Sequence, residues 1–406
     1  MADPDFDVVV VGGGPAGATA AAKLAEAGRS VLMLDKAGRI KPCGGAIPPR
    51  LVKDFEIPDE QLCAHITSAR MISPTDRKVD MPIENGYVGM VDREKFDDFL
   101  RHRAADAGAT WRNGVFIQLD HADTGEPVVT YKGADGPVSV RCKVVIGADG
   151  ARSLVARQGL DGAITKSVFA YHEIIETPEG VDPEAYDGER CEVYYQGKLS
   201  PDFYAWVFPH GKTASIGVGS AHKGFSLRSA VRELRETTGL NDAQTVRTEG
   251  APIPLKPLKV WDNGRDVVVV GDAAGVVAPC SGEGIYYAMA SGQIAAEEVD
   301  EVLATGKGAA LAKVRKRFMK DHGRVFMALG VLQWFWYSND KRRERFVTMC
   351  ADKDVQQLTF EAYMNKQLVR RKKVAHLKVM LKDIAHLLRI VRPAPPSAES
   401  RTANPG

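Results

Sequence analysis

Three glycines set the first chemical constraint. Gly12-x-Gly14-x-x-Gly17 stands between an apolar run, FDVVVV, and an alanine-rich stretch that continues to Gly28. A second apolar run, Ser30 to Leu34, then ends on Asp35. Strand, glycine turn, helix, strand and carboxylate make a dinucleotide cradle. Gly12 permits the tight turn, Gly14 and Ala16 leave room for a pyrophosphate beside the backbone, and Gly17 lets helix and strand pack closely. The helix start offers N–H groups and the positive end of its dipole to the phosphates. Asp35 suits a ribose hydroxyl pair and repels a 2′-phosphate, so NADP is not expected in this cradle. The turn alone does not separate NAD from FAD.

Two further glycine turns follow strand-like runs. Asp272 comes after DVVVV and before Ala273-Ala274-Gly275. A carboxylate at that strand end can accept hydrogen bonds from a polyol or cap a helix. Beyond it, Pro279-Cys280-Ser281-Gly282-Glu283-Gly284-Ile285 is a glycine-rich entry to a helix, whose N–H groups can face negative charge. Gly147-Ala148-Asp149-Gly150-Ala151-Arg152-Ser153 is the other turn, for which a purely structural role is a fair reading.

The elements that position these turns are legible in outline. Residues 92–107 read as a helix capped by Asp92, with Phe96, Phe99, Leu100 and Ala104 on its apolar side. Residues 168–220 alternate with the period of strands, and from about 294 onward the pattern is helical. The expected architecture is α/β: a Rossmann-type domain built from 1–75, 90–170 and 255–300, interrupted by an antiparallel β domain from 76–89 and 171–254. A helical region, 301–392, and a low-complexity tail, 393–406, complete it. The chain has 406 residues, 26% charged and 44% hydrophobic, with net charge +2, the balance of an ordinary globular protein rather than a nucleic-acid binder. Its six cysteines include no CxxC pair, so neither a metal site nor a disulfide framework is expected, and a reducing cytoplasm is the expected setting. The opening residues, MADPDFDVVVV, show no basic region and no cleavable apolar segment, so no signal peptide is expected from them. The aromatic stretch Val325 to Tyr337 is too short to span a bilayer and contains Gln333.

The three glycine turns together resemble FAD-dependent oxidoreductases of the para-hydroxybenzoate hydroxylase type. That resemblance implies FAD along the first turn, Asp149 and Arg93 near the cofactors, and Asp272 on the flavin's ribityl chain. It implies no separate fold for NADPH, which then docks across the FAD domain. Two stretches are similar to the geranylgeranyl reductase family in particular: Lys41-Pro42-Cys43-Gly44-Gly45-Ala46-Ile47-Pro48-Pro49 and Pro201-Asp202-Phe203-Tyr204-Ala205-Trp206-Val207-Phe208-Pro209. The opening, through DKAGRIKPCGGAIPPRL, looks closest to its chlorophyll and bacteriochlorophyll branch. Ala46 departs from the archaeal lipid-reductase pattern, where a further glycine is frequent. The resemblance extends to about residue 390. It implies an NADPH-dependent flavoenzyme that saturates C=C bonds of a geranylgeranyl chain, carried by a diphosphate or a pigment ester. It also places Cys43, Gly44, Gly45, Gly282, Gly284 and Ile285 against the flavin.

On a strand, Tyr204, Trp206 and Phe208 share one face. A four-residue loop Pro209–Lys212 would set Phe208 opposite Thr213, Trp206 opposite Ser215 and Tyr204 opposite Gly217, leaving an apolar trough for a polyprenyl chain. The same rings also read as plain core. An isolated alkene accepts hydride only with protonation, and Cys43 and Tyr204 are the expected acids; Cys43 reads equally as a small buried residue. The segment 366–392 carries nine Lys or Arg against one acid, Asp383, with Leu377, Leu381, Ile384 and Leu388 on one helical face. It reads as a peripheral membrane contact or as a solvated helix packed on the FAD domain. An aromatic-ring monooxygenase, an archaeal-type lipid reductase and a non-catalytic flavin or lipid carrier stand as the competing functions.

Overall fold

The computed structural model describes residues 3–366, apart from 37, 39, 85, 179 and 181. Its first sheet runs in the order Thr110–Asn113, Val31–Asp35, Phe6–Val11, Gly136–Gly147, Pro127–Gly133 and Val115–His121. Val267–Val269 adds to it by pairing with the end of Gly136–Gly147. The long strand Gly136–Gly147 has two roles. Its second half pairs in parallel with Phe6–Val11, Val8 opposite Val144, while its first half turns back antiparallel onto Pro127–Gly133. Val8, Val9, Val10 and Val145 are fully buried because helices cover both sides of the parallel part, which is why these strands read as unbroken apolar runs.

Close packing brings the glycine turns together. The helix Pro15–Glu26 crosses Ile285–Thr305 so tightly that a Cβ on Gly292 would lie 2.2 Å from the Ala16 carbonyl oxygen. A Cβ on Gly12 would lie 2.4 Å from the Ala148 carbonyl oxygen, and one on Gly271 would lie 2.9 Å from the Ala16 Cβ. The first, second and third turns therefore meet at one end of the sheet.

The second sheet is ordered Thr245–Pro254, Ser167–Glu176, Thr213–Ser220, Ala205–His210, Arg190–Tyr194, Ser68–Ile72 and Lys78–Pro82. Ala205, Val207, Ile216 and Val218 turn one face towards the helix Leu227–Thr238. Tyr204, Trp206 and Phe208 line the other, where Trp336, Tyr337 and Val347 from the C-terminal helices cover them. A small sheet of Ala46–Ile47, Val88–Met90 and Ala64–Ile66 lies between the two larger ones in the chain. The C-terminal helices are Ala312–Trp336, Asp340–Met349 and Lys353–Asn365.

Two expectations need correcting. The crossing into the second sheet comes earlier than residue 76, since Ser68–Ile72 already pairs with Arg190–Tyr194. The hairpin loop is two residues shorter, both lost from its N-terminal side: His210 pairs with Thr213 around Gly211-Lys212, so Phe208 faces Ser215 and Trp206 faces Gly217. The slip is two residues, which preserves every side chain's face, and Gly211 at φ +70° supplies the left-handed turn residue that the two-residue loop needs. The helix expected over 92–107 spans Arg93–Asp106 with the Asp92 carboxylate accepting from the Glu94 N–H. The basic segment 366–392, beyond Lys366 itself, and the tail 393–406 lie outside the described residues.

Candidate functional site

The first turn keeps an open mouth. A Cβ on Gly14 would meet no atom within 4 Å, whereas one on Gly17 would lie 1.8 Å from the Gly12 carbonyl oxygen. No side chain caps the helix that starts at Pro15, so its first N–H groups face the gap beside Gly14. Asp35 stands over the turn: a Cβ on Gly13 would be 2.9 Å from the Asp35 Cβ. Its carboxylate accepts from Arg101 Nη1 at 2.9 Å and from the Lys36 N–H at 2.8 Å. Burial pushes the Asp35 pKa upward against the pull of Arg101. An empty space over bare helix N–H groups, with a carboxylate at its edge, fits the pyrophosphate and ribose of FAD.

Asp272 and Asp149 have different fates. Asp272 forms an ion pair with Lys41, and a Cβ on Gly150 would lie 4.0 Å from the Lys41 Nζ. Lys41 thus ties the loop before Cys43 to the Asp272 turn and lies near the Gly150 turn, a role the sequence reading missed although Lys41 opens the Cys43 motif. The Asp149 carboxylate is taken up by its own turn. It accepts from Ser153 Oγ at 2.5 Å, from the Leu154 N–H at 2.6 Å and from the Val155 N–H at 3.2 Å. Gly284 caps the helix Ile285–Thr305 without a side-chain bond of its own, and Ile285 is buried. One helix donor is already spoken for, because Glu283 Oε1 accepts from the Tyr286 N–H at 2.9 Å. The other Glu283 oxygen pairs with Lys366 Nζ at 2.8 Å, both side chains nearly sealed from solvent.

The Cys43 loop and the Ser281 loop close on one aromatic strand. A Cβ on Gly44 would lie 3.1 Å from the Phe208 ring, and one on Gly45 would lie 2.5 Å from His210 Nε2. Cys43 Sγ accepts from the Gly45 N–H at 3.3 Å. Arg93 lies beside Cys43 and grips Asp97 with two bonds of 2.8 Å. Burial opposes the Arg93 charge, but Asp97 and Cys43 together raise its pKa above the ordinary range. On the other side, Tyr204 donates its hydroxyl to the Ser281 carbonyl at 2.5 Å, and a Cβ on Gly282 would lie 3.2 Å from the same hydroxyl. Burial drives the Tyr204 pKa up.

The aromatic wall is larger than the strand motif implied, and it packs as core rather than beside an open trough: Tyr204 and Trp206 are buried against Trp336 and Tyr337. Phe203 stacks on Tyr204 at 4.2 Å, followed by Trp206 at 5.9 Å from Tyr204 and Phe208 at 6.1 Å from Trp206. Tyr195 and Tyr337 extend it, their centroids 5.3 Å apart. Trp206 fits because Gly217 lies opposite; a Cβ there would be 2.2 Å from the indole. Behind the ring, Trp206 Nε1 donates to Ser215 Oγ at 3.0 Å, which bonds His172 Nδ1 at 2.8 Å. His172 Nε2 reaches Glu249 at 2.9 Å, and Arg247 holds the other Glu249 oxygen at 2.7 Å. No spacing in the sequence announces this buried relay, whose members come from four strands.

A cleft of about 480 Å³ opens beside Cys43 and includes Lys41, Arg93, Lys95, His210, Lys212, Arg247 and Glu249. Lys41, Arg93 and Arg247 are paired with Asp272, Asp97 and Glu249. Lys95 and Lys212 are its exposed rim cations.

The family described as FAD binding domain matches residues 59–317, and the NAD(P)-binding Rossmann-like domain matches residues 10–71. The geranylgeranyl diphosphate reductase of Rhodobacter capsulatus is 55% identical over 96% of this chain and 99% of its own. That of Synechocystis is 37% identical over 94% of this chain and 98% of its own. Among solved structures, a geranylgeranyl bacteriochlorophyll reductase-like protein from Thermoplasma acidophilum aligns with TM-score 0.77 at 24% identity, over 91% of this chain and 99% of its own, which bears on the fold alone. The chain belongs to the geranylgeranyl reductase family of proteins with an FAD binding domain.

Proposed function

We propose that this protein saturates C=C bonds of a geranylgeranyl chain to yield phytyl for (bacterio)chlorophyll synthesis, with FAD as cofactor and NADPH as reductant. The observation that carries the reading is the closure of the Cys43-Gly44-Gly45 and Ser281-Gly282 loops on the single strand face of Tyr204 and Phe208. Gly12, Gly14, Ala16, Gly17 and Asp35 hold the dinucleotide, and Lys41 with Asp272 borders it. Bound there, FAD supplies the hydride.

The side chains do the rest. The rings of Tyr204, Trp206 and Phe208 align an apolar chain and exclude water from it. Their faces ease positive charge developing on a tertiary carbon as an isolated alkene is protonated. Cys43 Sγ holds the proton for the neighbouring, less substituted carbon, leaving the tertiary carbon to take the hydride, with Arg93 beside Cys43 to take up the charge left behind. Tyr204, whose hydroxyl is engaged by Ser281, serves as wall and loop anchor. The rim cations Lys95 and Lys212 suit the phosphates of a reactant entering the cleft. Among the described residues no helix is long and apolar enough to cross a membrane, and contact with one is peripheral in this reading.

Following NADPH and oxygen together tests the proposal. Geranylgeranyl diphosphate should accelerate NADPH oxidation without oxygen uptake. Stoichiometric oxygen consumption would mark a monooxygenase, and the absence of turnover with any reductant would mark a carrier.

A further inference from the structure

The stretch from Val325 to Tyr337 is too short to cross a bilayer, yet it is strongly apolar and aromatic. In the fold it forms the second half of the helix Ala312–Trp336 and the residue after it. Part of it is core: Val325, Phe326, Trp336 and Tyr337 are buried. Another part braces the Ser281 loop, where Gln333 Oε1 accepts from the Cys280 N–H at 3.4 Å and a Cβ on Gly330 would lie 4.0 Å from Pro279. The remaining side is bare. Trp334 is 75% exposed, Met327 69% and Val331 58%, with Leu332 at 39% on the flank.

Steps of three and four residues place Met327, Val331 and Trp334 on one helical side. The same side, followed back towards the start of the helix, carries Lys316, Lys320 and Arg324, all exposed. None of the three is ion-paired among the described residues, and no acid interrupts the row. One stripe thus passes from three cations to three large apolar side chains. A water-soluble partner gives no reason for that order. A membrane does: cations meet acidic headgroups, apolar side chains enter the acyl boundary, and tryptophan favours the interface between them. The apolar end also stands against the loop that Tyr204 anchors, so a reactant leaving the bilayer arrives beside the aromatic wall.

We propose that this stripe seats the protein on an anionic membrane surface, with Met327, Val331 and Trp334 inserted and Lys316, Lys320 and Arg324 on the headgroups. The seat's purpose rests on the polyprenyl reading; its existence does not.

The test uses the full-length, FAD-loaded protein and flotation with phosphatidylcholine vesicles, with and without phosphatidylglycerol. The triple variant Met327→Ser, Val331→Ser, Trp334→Ser should lose about tenfold or more in vesicle partitioning. The triple variant Lys316→Gln, Lys320→Gln, Arg324→Gln should lose the preference for phosphatidylglycerol, together with its sensitivity to salt. Both should keep wild-type flavin content and wild-type turnover of detergent-dispersed substrate. Wild-type flotation by either variant overturns the seat, as does a wild type that stays off the vesicles. So does sedimentation showing that the apolar variant splits a dimer, since the stripe would then face a second copy. A protein that floats through this stripe but reduces no geranylgeranyl substrate refutes the reductase reading and leaves the seat standing.

Discussion

The Tyr204 hydroxyl donates to the Ser281 backbone carbonyl at 2.5 Å, so the proton of this phenol is committed to holding a loop. Burial raises its pKa further, which makes it a poor acid. Tyr204→Phe should therefore weaken the fold by about 1 kcal/mol, the effect of a lost bond to a buried carbonyl, and lower turnover only modestly. Cys43→Ala should do the reverse, leaving stability nearly unchanged and slowing the reaction by about 100-fold with flavin content intact. Denaturant unfolding and single-turnover rates separate the two. Abolished turnover in Tyr204→Phe, with full flavin, would transfer the acid role to Tyr204.

Gly14 and Gly17 should fail differently. A Cβ on Gly14 points into space that the protein does not fill, so Gly14→Ala should fold within about 1 kcal/mol of wild type yet retain little FAD. Gly17→Ala forces a contact of 1.8 Å with the Gly12 carbonyl oxygen, and should lose soluble protein as well as flavin. Visible flavin absorbance against soluble yield reads both.

Lys366 and Glu283 are 2% and 4% exposed, and burial pulls the Lys366 pKa down while Glu283 opposes that pull. Lys366→Met strands the carboxylate and should destabilise the protein by about 3–5 kcal/mol. Adding Glu283→Gln should restore most of that. A double-mutant cycle by denaturant unfolding measures the coupling, and additive losses would deny it.

Acid should act through two histidines. Burial lowers both His210 and His322 from 6.5 to about 4, so each is neutral in the folded protein. As pH falls below 6.5 the unfolded chain takes up protons that the folded chain refuses. Stability is therefore full above 6.5 and lost between 6.5 and about 4, by roughly 2 kcal/mol per histidine at pH 5. Unfolding midpoints of wild type and His322→Phe at pH 7 and pH 5 check this; the variant should show the smaller drop.

The sequence was most readable where one residue type has one physical reason. Gly12, Gly17 and Gly211 are demanded by contact or by positive φ, and valine runs buried on both faces mark the parallel strands. Faces survived better than register: the hairpin around Gly211 slipped by two residues and still kept Trp206 over a small residue, Gly217 in place of Ser215. Carboxylates were harder. Asp149 caps its own turn, in line with the structural reading of that stretch, whereas Asp272 meets Lys41, a partner 231 residues away that no local pattern announces. The His172 relay and the pairing of Glu283 with Lys366 were illegible for the same reason. Each joins residues from separate elements, and no local pattern records which elements will touch.

The central claim is that the aromatic wall presents an isolated alkene for reduction. Mass analysis of the prenyl product, after anaerobic incubation of the FAD-loaded protein with NADPH and geranylgeranyl diphosphate or its pigment ester, tests it most directly. The account predicts successive two-hydrogen gains ending at phytyl, and their loss when Trp206 is replaced by alanine in protein that still carries flavin. Unreduced substrate from a flavin-loaded wild type, or oxygen incorporated in place of hydrogen when air is admitted, would contradict it.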